Sequence, residues 1–382
     1  MIDQRILIAG AGIGGLTTAL ALHQRGADVV VLERAESLEP VGAGLTLWPN
    51  ALQPLDRLGL SPALQRRGRA IEEGALRMWN GDLLKRTNPQ RLAERFGRLP
   101  LAIHRGALHQ TLRDTLPRDV LYAGKAVVRY EDDGQRVAVQ CEDSSSFEGD
   151  LLVGADGLCS TVRQQMRPDL VLRYAGYAAW RGVVPCSAAP QQRESTELWG
   201  RGERFGIVPL GDDQLYWFAT ANYPAGRSVP AADHRADLMG RFGDWMSPVA
   251  ALIDATPDEQ LLYHDLYDIE PFRGWSAGRV TLLGDAAHPT TPNMGQGACM
   301  AIESAWLLAR LLDEETTVEA ALSRYERERA PRTAAVTRQS WQLGQVGQLS
   351  HGLACRFRNA VLQLLPSDVM ERQLVGVVGK VV

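Results

Sequence analysis

The 382-residue chain has no C-x-x-C pair. Its five cysteines, Cys141, Cys159, Cys186, Cys299 and Cys355, are odd in number and widely spaced. That pattern argues against a disulfide framework or a zinc site and suits a reducing compartment. No stretch approaches the ~18 consecutive apolar residues of a membrane span, so no transmembrane segment is expected. Positive charge is not in excess: the formal net charge is -4, which speaks against a nucleic-acid partner. The opening "MIDQRILIAGAG" has only a strand-length apolar run broken by glycine, with no cleavage pattern, so a cytoplasmic location is expected. There is no internal repeat, no low-complexity tract, no metal cage and no obvious catalytic triad. What remains is an ordinary globular composition, 45% hydrophobic and 23% charged, in a chain long enough for two domains.

The densest signal lies at the start. Arg5 to Ala9 reads as a buried strand, Leu16 to Gln24 as a helix, and Asp28 to Glu33 as a second strand. Between the first two lies Gly10-Ala11-Gly12-Ile13-Gly14-Gly15, a G-x-G-x-x-G pattern. Alone the pattern is weak; leaving a strand and opening a helix, it is a dinucleotide fingerprint. Gly10 permits the tight turn, Gly12 lets backbone approach a pyrophosphate, and Gly15 lets helix and strand pack closely. The helix N-terminus offers free N–H groups to phosphate. Glu33 ends the second strand, where a carboxylate accepts from a ribose 2′-OH and repels a 2′-phosphate. The fingerprint does not separate NAD from FAD. Two further strand-turn signals, at Asp156 and Asp285, lie far along the chain. A long ligand held by three distant segments favours FAD.

The expected fold class is α/β, a Rossmann-like FAD-binding domain with an inserted antiparallel β-sheet substrate domain and C-terminal helices. Residues 1–70, 98–172 and 273–382 are assigned to the first domain and its helices. Residues 173–272, rich in β-branched and aromatic residues between turn signals, are assigned to the sheet, with residues 71–97 adding strands to it. The segment Phe357 to Leu365 reads either as a helix docked on the core or as an amphipathic helix touching a membrane surface.

Three segments together, Gly10–Gly15 with Glu33, "GADGLCSTVR" from Gly154 and "GDAAHPTTPNMGQG" from Gly284, resemble the FAD-dependent aromatic hydroxylases, single-component flavoprotein monooxygenases with the p-hydroxybenzoate-hydroxylase fold. The branch it looks most similar to contains bacterial urate hydroxylases and alkylquinolone 3-hydroxylases. The resemblance implies FAD as cofactor, NADH or NADPH as transient reductant, and O2 as co-substrate. It implies transfer of oxygen to a small aromatic or N-heteroaromatic ring through a C4a-hydroperoxyflavin, by a monomer or homodimer. It places Glu33 on the adenosine ribose, Arg34 by the adenine, and Arg105 at the pyrophosphate or ribityl. Asp156 lies in the motif shared by FAD and pyridine nucleotide, braced by Arg163, and Asp285 meets the ribityl chain or abuts the pyrophosphate. The segment from Val41 through Gly42 and Gly44 to Asn50, and the Gly295-Gln296-Gly297 turn, lie against the flavin ring.

The cofactor carries the hard chemistry, so side chains matter chiefly at the substrate. Arg204 and Tyr216, from adjacent strands, are candidates to line that end; the plainer reading makes one a brace and the other core. Alternation places Tyr216 and Phe218 on one face and Trp217 on the other. By the resemblance, urate hydroxylases carry an acid where this chain has Asn293. An amide cannot act as a carboxylate base, which turns the expectation from urate toward a neutral or self-activated heteroaromatic. Asn293 is expected to face substrate. His288 is either a base or a structural hydrogen-bonding residue. Epoxidase, reductase, a flavin-binding protein without turnover and a plain NAD-dependent dehydrogenase are the alternatives. The W-x-W-x-I-P signature of flavin halogenases is absent.

Overall fold

The computed structural model describes residues 2–38, 42–227, 230, 233–366 and 375–378. Its nucleotide-binding sheet has six strands, in the order Ser276–Ala277, Val280–Leu282, Leu151–Gly154, Arg5–Ala9, Asp28–Leu32, Leu121–Tyr122. All pairings are parallel except that between the first two. Helices cover such a sheet on both faces, so its strands are continuous apolar runs. Ile6, Leu7, Ile8, Leu151, Leu152 and Val153 are all fully buried. Register does the rest. Ala9 lies beside Gly154, and Gly154 beside Leu282, so three strands far apart in sequence end side by side. Ligands of open α/β sheets bind beyond such carboxyl ends.

The second sheet has seven strands, in the order Leu262–Asp268, Arg173–Pro185, Gln214–Asn222, Glu203–Pro209, Ser195–Trp199, Gly74–Met78, Leu83–Thr87. It is antiparallel apart from the parallel pair Ser195–Trp199 with Gly74–Met78. One face packs under the helices His234–Phe242 and Val249–Ala255, where Trp217 stacks on Phe205 with centroids 5.3 Å apart. The reading of residues 173–272 as sheet passed over these two helices. Their signal is Leu238 and Phe242, one turn apart and fully buried, in a short segment bounded by prolines and charge. A small sheet of Gly44–Leu47, Leu101–His104 and Arg69–Ala70 stands between the two large ones.

The helix Gly297–Glu314 aims its N-terminus back at the strand ends. The 30-residue helix Val318–Gly347 packs along it. An ion cluster fixes the pair: Glu303, with no exposed surface, accepts from Arg329 at 3.0 Å and from Arg332 at 2.6 Å. Removing one partner of a buried pair leaves a charge with no water to solvate it. Glu303→Ala is expected to lose about 3–5 kcal/mol of stability, read as a lowered urea midpoint with an unchanged slope.

Candidate active site

Close packing of glycines shapes the nucleotide end. A Cβ on Gly15 would lie 1.9 Å from the Gly10 carbonyl oxygen, and one on Gly10 would lie 2.5 Å from that of Ala155. Gly10 also holds φ at 101°, a conformation side chains disfavour. A Cβ on Gly14 would meet Leu283 Cδ2 at 2.9 Å. Gly12 is different: a Cβ there meets nothing within 4 Å. It borders a cavity of about 1110 Å³. The helix Ile13–His23 begins at that edge, with unsatisfied N–H groups facing the space.

The cavity runs from Gly12 and Gly14, past Gly44, Arg105, Asp285, Gly295 and Gly297, to Arg204, Tyr216 and Asn293. These ten candidate residues share one space. Gly10, Gly15, Glu33, Arg34, Asp156 and Gln296 are not part of its wall. The Glu33 carboxylate accepts from Ala11 N at 2.7 Å and Ala35 N at 2.9 Å, while Arg34 is exposed beside it. Asp156 accepts from Val162 N at 3.1 Å and leaves its other oxygen buried and unpartnered. Arg163, 3% exposed, donates to the carbonyl of Ala286 at 3.1 Å, tying the Asp156 loop to the Asp285 loop. Gln296 is buried and accepts from Asn50 Nδ2 at 3.0 Å; its own amide nitrogen finds no partner. Val41 lies outside the described residues. Gly42 and Gly44 both serve close approach. Gly42 has φ of 148° against the Arg105 side chain, and a Cβ on Gly44 would lie 2.5 Å from the Tyr216 ring.

Charge is distributed along the cavity. Asp285 opens onto the cavity but has protein on its other sides. Burial raises its pKa, and Arg105 and Arg163 oppose the rise. Burial also pushes the Tyr216 phenol up, against Arg181, which hydrogen-bonds it. Arg204 is 3% exposed and held at three points. Its Nε donates to Gln348 Oε1 at 2.9 Å, one terminal nitrogen to Asn293 Oδ1 at 2.6 Å, and the other to Glu197 Oε1 at 3.3 Å. Asn293 differs from its expected role. Its Nδ2 is spent on Thr291 Oγ1 at 2.9 Å and Ser340 O at 2.8 Å, and its Oδ1 accepts from the Tyr177 hydroxyl at 3.0 Å. Although it borders the cavity, its polar atoms bind protein, and its oxygen is a strut for Arg204.

Sequence reasoning missed Arg181, Glu197, Tyr177 and Gln348. For Arg181 the signal was available: Ala179 and Arg181 alternate on a strand where they pair with Thr220 and Phe218. Gln348 gave no signal, since it meets Arg204 from a turn 144 residues away. The aromatic wall is narrower than composition suggests: Tyr216 and Phe218 face the cavity, while Trp180 and Trp217 are fully buried in the core of the other face.

Residues 3–340 match the family profile described as an FAD binding domain. The chain belongs to that family of FAD-dependent monooxygenases. It is 41% identical to an aurachin C monooxygenase/isomerase of Stigmatella aurantiaca, over 95% of this chain and 94% of that protein. It is 33% identical to a 2-heptyl-3-hydroxy-4(1H)-quinolone synthase of Pseudomonas aeruginosa, over 96% of each. The crystal structure of Klebsiella pneumoniae HpxO complexed with FAD and uric acid superposes with a TM-score of 0.92 at 31% identity, covering 98% of this chain and 96% of that one.

The residues present fit FAD in this monooxygenase. The open edge at Gly12 suits a pyrophosphate that must touch backbone. Near the ring end Trp48 borders the cavity, and its buried Nε1 has no protein partner, which leaves a donor to meet a polar ring edge. Bound flavin supplies the redox chemistry; the protein supplies position, exclusion of water and charge. The helix starting at Gly297 presents its positive end to the cavity, where it stabilises negative charge.

His288 is not a base. Its Nε2 lies 3.0 Å from Ser304 Oγ, its ring packs 5.4 Å from Trp275, and it does not border the cavity. Burial, aided by Arg329, moves its pKa from the ordinary 6.5 to about 3. The native imidazole is therefore neutral where an unfolded one binds a proton. Stability is present above 6.5 and is lost as pH falls from there toward about 3. His288→Asn should flatten the stability profile across that window by up to about 1.4 kcal/mol per pH unit, measured by urea unfolding at successive pH values.

Proposed function

We infer that the enzyme hydroxylates a small aromatic or N-heteroaromatic substrate, using NAD(P)H and O2. The observation that carries the reading is Arg204. It is a buried guanidinium at the far end of the cavity, close to an aromatic wall of Tyr216 and Phe218. Two of its three anchors, Gln348 and Asn293, are neutral amides. They fix its geometry without cancelling its charge; only Glu197, at 3.3 Å, offsets it. A preorganised cation in a dry site stabilises anionic character on a bound ring. Anionic phenol or enol forms carry more electron density at the ring carbons, so they accept an electrophilic oxygen more readily. Asn293 contributes by orientation. A carboxylate in its place would pair with Arg204 and remove the charge the substrate uses.

This arrangement favours a heteroaromatic with an ionisable oxygen, such as the quinolone named for one relative, and urate stands as the alternative. The test is a panel of quinolones, hydroxylated aromatics and urate scored for stimulated NAD(P)H oxidation and for product heavier by one oxygen. If none of the ring compounds is converted and only peroxide forms, the substrate reading fails. Arg204→Ala should retain its flavin while hydroxylation per NAD(P)H consumed falls by about a hundredfold. Unchanged coupling would remove Arg204 from the substrate end.

A further inference from the structure

Half of the exposed large hydrophobic side chains among the described residues fall between positions 343 and 364: Leu343, Val346, Leu353, Phe357, Val361 and Leu364. Four of these belong to the helix Gly352–Leu364. One side of that helix is well docked. Arg358, 5% exposed, donates to Gly200 O at 3.0 Å and Gly347 O at 3.1 Å, and Leu362 packs against the cluster of Leu76, Leu84 and Trp199. The other side carries Leu353, Phe357 and Leu364 at 69%, 74% and 83% exposure. Their spacing, with Val361, places them on one helical face. An apolar face this continuous marks an interaction surface.

Two observations identify the occupant. The first is continuity with the cavity. Leu343 and Val346, at the end of the long helix, are exposed and also border the cavity, and the Val346 carbonyl accepts from Arg358 at 3.4 Å. The helix that carries the stripe therefore adjoins the cavity wall at Val346. The second is charge. The chain holds 45 acidic residues, yet residues 329–367 contain none. Within that stretch Arg338 and Arg356 are exposed. An isologous pairing of two copies would lay this acid-free stretch against the same acid-free stretch, with no carboxylate in it to pair Arg356 or Arg338. Anionic headgroups are complementary to them, and an amphipathic helix with flanking cations lies naturally in a lipid interface. Among the described residues no helix is long and apolar enough to cross a membrane, so the contact is peripheral.

We propose that this face docks on an anionic lipid surface, with Leu353, Phe357, Val361 and Leu364 at the headgroup–acyl boundary and the cavity entrance turned toward the bilayer. A lipophilic aromatic substrate then enters from lipid without crossing water. That last consequence rests on the hydroxylase reading; the docking does not.

The test sediments the full FAD-loaded chain with vesicles of phosphatidylglycerol and phosphatidylcholine, and with phosphatidylcholine alone, reading bound protein by flavin absorbance. Partition should be about tenfold stronger on the anionic vesicles and weaken with salt. Phe357→Glu and Leu353→Glu should each reduce it about tenfold, and Arg356→Glu about fivefold on anionic vesicles alone. All three should keep their flavin and their turnover of water-soluble substrate. Wild-type protein that stays in the supernatant, or a Phe357→Glu variant that pellets like wild type, overturns the proposal. So does self-association in solution that Phe357→Glu abolishes without any vesicle binding, which would make the face an interface between copies. Because the readout involves no turnover, its failure leaves the hydroxylase reading standing, and failure of that reading leaves the vesicle result intact.

Discussion

The structure depends on how closely backbone can approach backbone where three parallel strands end. Gly15 rests on the Gly10 carbonyl, Gly10 rests on that of Ala155, and Arg163 ties the second loop to the third. With those contacts full, Gly12 is the one glycine of the first turn left facing open space. The nucleotide end of the cavity is thus defined by what is packed around it. Close approach also recurs at the ring end, where Gly44 admits Tyr216. Glycine serves one purpose in both places: it removes a side chain so that a flat ligand or a ring can lie on the main chain.

A second constraint sits at the substrate end. Arg204 is buried, and a buried cation demands partners. The structure supplies mostly neutral ones and recruits them from the second sheet, the loop before the helix Gly297–Glu314, and the turn after the long helix. The Glu303 cluster matters here too, because it fixes the two helices whose ends carry the loop and the turn. Stability and chemistry are linked through that pairing.

Much of this was legible in the sequence, for reasons that can be named. The α/β architecture follows from glycine spacing between an apolar strand and an Ala-rich helix, and the flavin family from the resemblance that this turn carries together with the motifs at Asp156 and Asp285. Those signals are local, so a linear reading sees them. Alternation along Gln214–Asn222 likewise separates Tyr216 and Phe218 from Trp217. The anchors of Arg204 were not legible. Asn293 meets it from 89 residues away and Gln348 from 144, and no periodicity encodes such a meeting. Asn293 shows the cost. Its place in the turn before Gly295, matched to the acid of urate hydroxylases, suggested a substrate contact, but its hydrogen bonds are to protein and hold Arg204. The helices at His234–Phe242 and Val249–Ala255 were hidden by the β-rich composition around them.

The central claim is that this cavity brings flavin and an electron-rich ring together so that oxygen from O2 reaches the ring. Turnover under ¹⁸O2 with the best substrate, followed by mass spectrometry of the product, tests it most directly. The account predicts one labelled oxygen on a ring carbon, with NAD(P)H consumed in equal amount. Label arriving from water instead, or a product that gains hydrogen and no oxygen, would contradict it.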